Sequence, residues 1–201
     1  MRLKALMVDV DGVILVLPPG GWATEMERDL GFSGAAMQTH FFQPHWNDIV
    51  LGRASLHERL GLVLAQHAPH LTSRVLVDYW FERDARLNAP LLTDLAALRA
   101  SGLQLHLATI QEHERARYLW EVLGFRDRFD AMHYAADLGC KKTDAAFYAA
   151  VEARTGFAPG ELALIDDTAA NVEAARAAGW RGIVWDGTQS LAEALAAAGL
   201  A

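Results

Sequence analysis

The sequence predicts an α/β fold, a parallel sheet layered between helices, on three observations. Short apolar runs that stop at a polar residue recur along the chain; segments of helical period separate them; and one long stretch, residues 18–89, carries helical patterns without a convincing strand. At 201 residues, the chain suits one core with a modest insertion. With 52% hydrophobic and 21% charged residues, it has the composition of a folded globular protein.

The first run, residues 3–9 (LKALMVD), reads as a buried strand ending at a polar rim, followed by Gly12. Residues 18–89 then break the pattern with helical stretches at 22–30, 55–66 and 71–83, which predicts a helical insertion after the first strand. Pro18, Pro19, Gly20 and Gly21 mark one hinge and Asn88-Ala89-Pro90 the other. From residue 90 onward the order is αβαβαβαβα. Strands are expected at 103–109 (LQLHLAT), 162–166 (LALID) and 182–185 (GIVW), with a weaker one at 131–134. Helices are expected at 91–101, 112–123, 169–178 and 191–198, and another begins near Asp144. Ala116, Leu119, Trp120 and Leu123 fall on one face of the second of these. Gly102, Gly124 and Gly179 follow three of the helices, where a left-handed residue ends a helix without strain from a β-carbon. Strands alternating with helices of this length pair in parallel through right-handed crossovers, giving three layers.

Composition excludes several function classes. A formal charge of −7 repels polyanions, and the densest basic stretch, residues 112–128, interleaves Glu112, Glu114, Glu121 and Asp127 with its arginines, so no nucleic-acid partner is expected. Cys140 is the only cysteine, which rules out an intramolecular disulfide and a two-cysteine redox motif. No apolar run of roughly 18 residues could span a bilayer. Residues 1–6 enter the first strand without room for a cleavable signal, so a cytoplasmic location without a membrane partner is the expectation. The sequence does not specify an oligomeric state.

In open parallel sheets ligands bind at the carboxyl ends of the strands. Asp9, Thr109 and Asp166 each close an expected strand, so they should converge on one rim although Thr109 and Asp166 lie 100 and 157 positions from Asp9. Asp9 and Asp11, two residues apart beside a glycine, are an awkward pair of charges unless a divalent cation neutralises them, and hard carboxylate oxygens suit magnesium. Asp166-Asp167 supplies a second acidic pair, Thr109 a hydroxyl donor, and Lys141-Lys142 an ammonium that could offset the carboxylates. Singly, each also reads as an ordinary strand-end hydroxyl, helix N-terminal acid or solvated charge; their order and shared rim give the set its meaning.

The runs DVDGV (residues 9–13), LATIQ (107–111), GCKKTD (139–144) and LIDDTAANVEAA (164–175) stand in the order of the four motifs of the haloacid dehalogenase-like superfamily, which the chain resembles over essentially its whole length. The resemblance implies a Rossmann-like core, residues 1–17 and 90–201, with residues 18–89 as an α-helical cap, and hydrolysis of a small phosphomonoester, a sugar phosphate or similar metabolite, with Mg2+. It implies Asp9 as nucleophile, Asp11 as general acid and base, Thr109 and Lys142 as catalytic groups on the phosphoryl moiety, and Asp9, Asp11 (through its carbonyl), Asp167 and Asp166 around the metal. Gly12 and Ile110 would line the phosphate site. Asp11 favours a phosphatase over a dehalogenase, because halide departure needs no acid. Ile110, where asparagine or a small residue is common, and Thr143 and Ala145, in place of prolines, depart from the family pattern.

Two alternatives stand beside this reading: a phosphosugar mutase using the same aspartyl-phosphate, and a non-catalytic phosphate- or metabolite-binding module. In the cap, Trp46, Asn47 and Arg53 have the chemistry to meet a small polar ligand, against a generic expectation of core packing for Trp46 and a surface charge for Arg53. His106 reads as a satisfied core residue within its strand.

Overall fold

The computed structural model describes residues 2–200. Five strands, β1 (Ala5–Val8), β2 (Gln104–Thr109), β3 (Ala131–Tyr134), β4 (Leu162–Asp166) and β5 (Arg181–Val184), pair in parallel in the order β3-β2-β1-β4-β5. The chain runs outward from β1 through β2 to β3 and returns on the other side to β4, so the strand order reverses beside β1, where such sheets open a crevice.

Both sheet faces are covered, which is why the strands read as continuous apolar runs. Leu6, Val8, Leu105 and Leu107 face helices α6 (Ala89–Ala100) and α11 (Leu191–Ala197) and the π-helical turn, Tyr118–Val122, that continues α7 (His113–Arg117), meeting Leu91, Leu95, Leu119 and Leu195 in one apolar cluster. Ala5, Met7, Leu162 and Leu164 face the other way, toward α9 (Ala145–Thr155) and α10 (Ala169–Ala177), and pack on Phe147, Val151 and Ala175. Each such side chain contributes roughly 1.5–3 kcal/mol on burial. The expected strand at residues 131–134 is β3, an edge strand whose side chains are mostly half-buried; that explains its weak apolar signature. Gly102, Gly124 and Gly179 take φ of 96°, 69° and 87°, the left-handed endings expected of them.

Between β1 and α6 lie α1 (Met26–Leu30), α2 (Gly34–Met37), α3 (Gln43–Val50), α4 (Leu56–His67) and α5 (Ser73–Arg83), with a π-helical turn, Gln38–Phe42, joining α2 to α3. The sequence patterns had indicated α1, α4 and α5 but not the helical path over 34–50. Pro44 conceals it: proline cannot donate to the ladder and usually ends a helix, and here the widened turn ahead of it accommodates the missing donor. Ser55 and Thr72 cap α4 and α5 by accepting from the N–H groups of Glu58 and Val75. These helices enclose their own apolar cluster, including Met26, Phe41, Leu60, Leu76, Trp80 and Phe81. The two connections to the sheet run side by side, Val16 N–H donating to the Arg86 carbonyl at 2.8 Å and Asn88 N–H to that of Ile14 at 2.7 Å. A short helix, α8 (Ala135–Leu138), follows β3 and packs on α3. Among the described residues no helix is long and apolar enough to cross a membrane.

Candidate active site

Asp9 follows the last residue of β1, Thr109 ends β2 and Asp166 ends β4, so the sheet itself brings these side chains to one rim. They surround a cleft of about 230 Å³ lined by Asp9, Asp11, Leu17, Thr109, Ile110, Lys142, Asp167, Thr168 and Asn171. A larger cleft, about 740 Å³, opens at the opposite rim among Leu3, Leu98, Leu103 and Leu195, with Arg2 and Lys4 beside it. None of the buried polar side chains lines it.

Lys142 is the electrostatic centre of the site. Its side chain is 1% exposed, and Nζ lies 2.7 Å from Asp9 Oδ1 and 2.6 Å from Asp166 Oδ2. Burial works against the ammonium, but the two carboxylates outweigh it and hold its pKa above the ordinary lysine value. Burial pushes the Asp9 pKa up, Lys142 pulls it down, and the neighbouring Asp166 charge adds to the upward push; the net direction is upward. Asp9 Oδ1 also accepts from the Val10 N–H at 2.7 Å.

Asp166, fully buried, is saturated. Beyond Lys142 it accepts from the Thr168 N–H at 2.9 Å and from Asn171 Nδ2 at 3.0 and 3.2 Å. The Tyr148 hydroxyl lies 2.6 Å from the Lys142 carbonyl and 2.8 Å from that of Asn171, donating to one or the other, and so ties the lysine loop to α10. Asp167, in contrast, is exposed. Its Oδ2 occupies the space beside Gly12, where a β-carbon would sit 2.0 Å from that oxygen, and Gly12 has φ of 78°. Gly12 therefore leaves room for Asp167 and does not itself line the cleft; its N–H is taken by the Leu15 carbonyl at 2.9 Å. Burial raises the Asp167 pKa.

One oxygen from each of Asp9, Asp166 and Asp167 lies within 4.8 Å of the other two. An all-carboxylate group of this kind fits a hard divalent cation and not a soft one. The donor set divides by availability, since Asp166 already spends its oxygens on protein donors whereas Asp167 keeps one beside Gly12.

The candidates at Trp46, Asn47 and Arg53 lie elsewhere. Trp46 packs against Phe41, Phe42 and Trp80 in the helical cluster. Asn47 accepts from Lys141 Nζ at 2.8 Å, joining α3 to the loop ahead of α9. Arg53 is largely exposed, 3.9 Å from Asp48. None of the three lines the cleft. The two adjacent lysines thus part company, Lys142 turning inward and Lys141 outward. Cys140 is partly buried, and burial raises its thiol pKa instead of activating it.

Three residues escaped the sequence reading. Gln111, 4% exposed, donates from Nε2 to Asp11 Oδ2 at 2.6 Å and to Thr109 Oγ1 at 3.3 Å. Glu112 caps α7, accepting from the N–H groups of Glu114 and Arg115; burial pushes its pKa up to about 7. Arg115 reaches from α7 to the end of α5, donating to the carbonyls of Phe81 at 3.1 Å and Asp84 at 2.5 Å. Only their place just beyond Thr109 could have drawn attention to them.

The haloacid dehalogenase-like hydrolase family pattern matches residues 3–179. No curated protein matches the chain in sequence. Among solved structures, a HAD family enzyme from Bacteroides thetaiotaomicron, crystallised with magnesium and inorganic phosphate, is similar with a TM-score of 0.80 at 16% identity, over 95% of this chain and 98% of that one. A protein of Porphyromonas gingivalis described as a predicted HAD-like family hydrolase gives 0.78 at 19% identity, covering 98% of both chains. The L-2-haloacid dehalogenase of Xanthobacter autotrophicus gives 0.63 at 20% identity, over 100% of this chain and 85% of that one.

Proposed function

The chain belongs to the haloacid dehalogenase-like hydrolases, and from that premise we propose that it is a magnesium-dependent phosphatase acting on a small phosphomonoester, a sugar phosphate or similar metabolite, through an aspartyl-phosphate on Asp9. The observation that carries this reading is the pairing of two carboxylates in one cleft with different partners: Asp9 held by Lys142, Asp11 held by Gln111.

In the proposed reaction an Asp9 carboxylate oxygen attacks phosphorus, forming an acyl phosphate as the P–O bond to the leaving group breaks. Asp11 gives its proton to the departing oxygen, which leaves as an alcohol. Asp11, now a carboxylate, takes a proton from the water that attacks the same phosphorus, and the Asp9–phosphorus bond breaks to release phosphate. Lys142 and the Thr109 hydroxyl stabilise charge on the phosphoryl oxygens. Asp9, Asp167 and the Asp11 carbonyl would hold magnesium, with Asp166 fixing Lys142 behind them. When bound, the metal supplies positive charge against the clustered carboxylates and the phosphoryl oxygens.

Residues 18–89 serve in this reading as a cap on a core of residues 1–17 and 90–201, supported by their separate apolar cluster and the paired connections. Leu17 and Ile110 provide the apolar part of the cleft wall, facing a small leaving group. Among the described residues that line the cleft, Lys142 is the sole cation, which favours one phosphoryl group over the two a bisphosphate-dependent mutase must seat. The test is phosphate release from a panel of phosphorylated metabolites. Turnover should stop on chelation and return with magnesium; turnover indifferent to a chelator, or no hydrolysis of any monoester, would overturn the reading.

A further inference from the structure

Gln111 touches two of the residues that line the cleft, Asp11 and Thr109. Its backbone is fixed, the carbonyl accepting from the Ala136 N–H at 3.1 Å, so its buried amide is presented from a rigid position. An amide nitrogen carries two protons and accepts nothing, so each contact defines a direction: Asp11 Oδ2 and Thr109 Oγ1 are both acceptors. The other Asp11 oxygen, Oδ1, is shielded from solvent and has no hydrogen-bond partner among the described residues. Thr109, having accepted from Gln111, keeps its own hydroxyl proton to donate, and it lines the cleft.

We infer that Gln111 is a positioning residue for two groups at once: it fixes the orientation of the Asp11 carboxyl group, which exchanges a proton with leaving group and water, by holding Oδ2, and it turns the Thr109 hydroxyl into a donor toward the phosphoryl group. The inference rests on the phosphatase reading above. It predicts a dependence on leaving group that packing alone cannot produce. An alkoxide needs a proton in order to depart, whereas a nitrophenolate departs without one.

The experiment compares kcat/KM of wild type and Gln111→Met, which keeps length and bulk but removes both donors, on an alkyl phosphate and on nitrophenyl phosphate, with magnesium present. The alkyl ester should lose about 10- to 100-fold, as expected for a lost hydrogen bond to a charged group, and the aryl ester less than about fivefold. Asp11→Asn should show the same bias, and adding Gln111→Met to it should cost the alkyl ester no more than the loss of less than about fivefold that the aryl ester shows, which is the part carried by Thr109. Equal losses on both esters in a variant that melts like wild type, or independent losses in the double variant, would overturn the inference. Gln111→Leu is judged by the same criteria should the methionine variant fail to fold. Wild-type protein that cleaves neither ester would instead overturn the phosphatase reading.

Discussion

Residues 18–89 and the sheet-bearing remainder of the chain bury different things. Among the described residues, the buried polar and charged side chains, including Asp9, Thr109, Gln111, Arg115, Lys142 and Asp166, all belong to the sheet-bearing part; the buried side chains of residues 18–89 are apolar, with Phe41, Leu60 and Phe81 typical. Desolvating charge is costly unless each group is paired, so an apolar interior is the simpler way to make a stable helical unit. The rim has taken the costlier arrangement and satisfies most of it through Lys142, Asn171 and the loop N–H groups. The contrast teaches that the rim ties stability and chemistry to the same side chains, whereas residues 18–89 carry stability through an apolar interior alone. Arg115 and Lys141 connect the two regions, by contacts to the end of α5 and to Asn47.

The sharpest way to break this comparison is Lys142→Met. It strands two buried carboxylates, and unfolding in denaturant should show a loss of about 3–5 kcal/mol together with loss of turnover. A Leu60→Ala cavity in the helical cluster should cost a similar about 2–5 kcal/mol while kcat of the folded fraction stays near wild type. Similar losses of kcat in both would erase the distinction drawn here.

The next effect concerns acid. His106 Nδ1 and His133 Nε2, on the neighbouring strands β2 and β3, meet at 3.0 Å, and His133 is held down to about 4 by burial first and by His106 second. An unfolded histidine titrates near 6.5, so between these values the unfolded chain binds more protons. Stability should therefore fall as pH drops from 6.5 to 4, by up to about 3 kcal/mol from this group. His133→Leu should remove that part of the slope; identical pH slopes in variant and wild type would contradict it.

A smaller effect is expected at Gly12→Ala. The new methyl group must displace the Asp167 carboxylate and strain a backbone at φ 78°, so magnesium affinity measured by calorimetry should fall about tenfold or more, with about 1 kcal/mol lost in stability. Unchanged affinity would mean that Asp167 does not hold the metal.

Much of this was legible in the chain. Apolar runs broken by Asp9, Thr109 and Asp166 announced strands and rim together, because a buried parallel strand and its functional end leave one combined signature. Less legible were features that depend on distant partners. Gln111 meets Asp11 across 100 positions, and nothing local to Ile110-Gln111-Glu112 announces that contact. The choice of Lys142 over Lys141 came from the resemblance to the family motif and not from composition, since two adjacent lysines are chemically alike; their opposite orientations are visible only in the structure. The helical path over 34–50 left no clear pattern either; it contains Pro44, a residue that ordinarily interrupts helices, just after a wider π-helical turn.

The central claim, that Asp9 becomes covalently phosphorylated, is tested most directly by acid-quenching the enzyme during turnover with magnesium and a cleaved phosphomonoester, then mapping the adduct by mass spectrometry. The account predicts one phosphoryl group on the peptide carrying Asp9, absent in Asp9→Asn. A phosphoryl group on another residue, or steady turnover by Asp9→Asn, would contradict it.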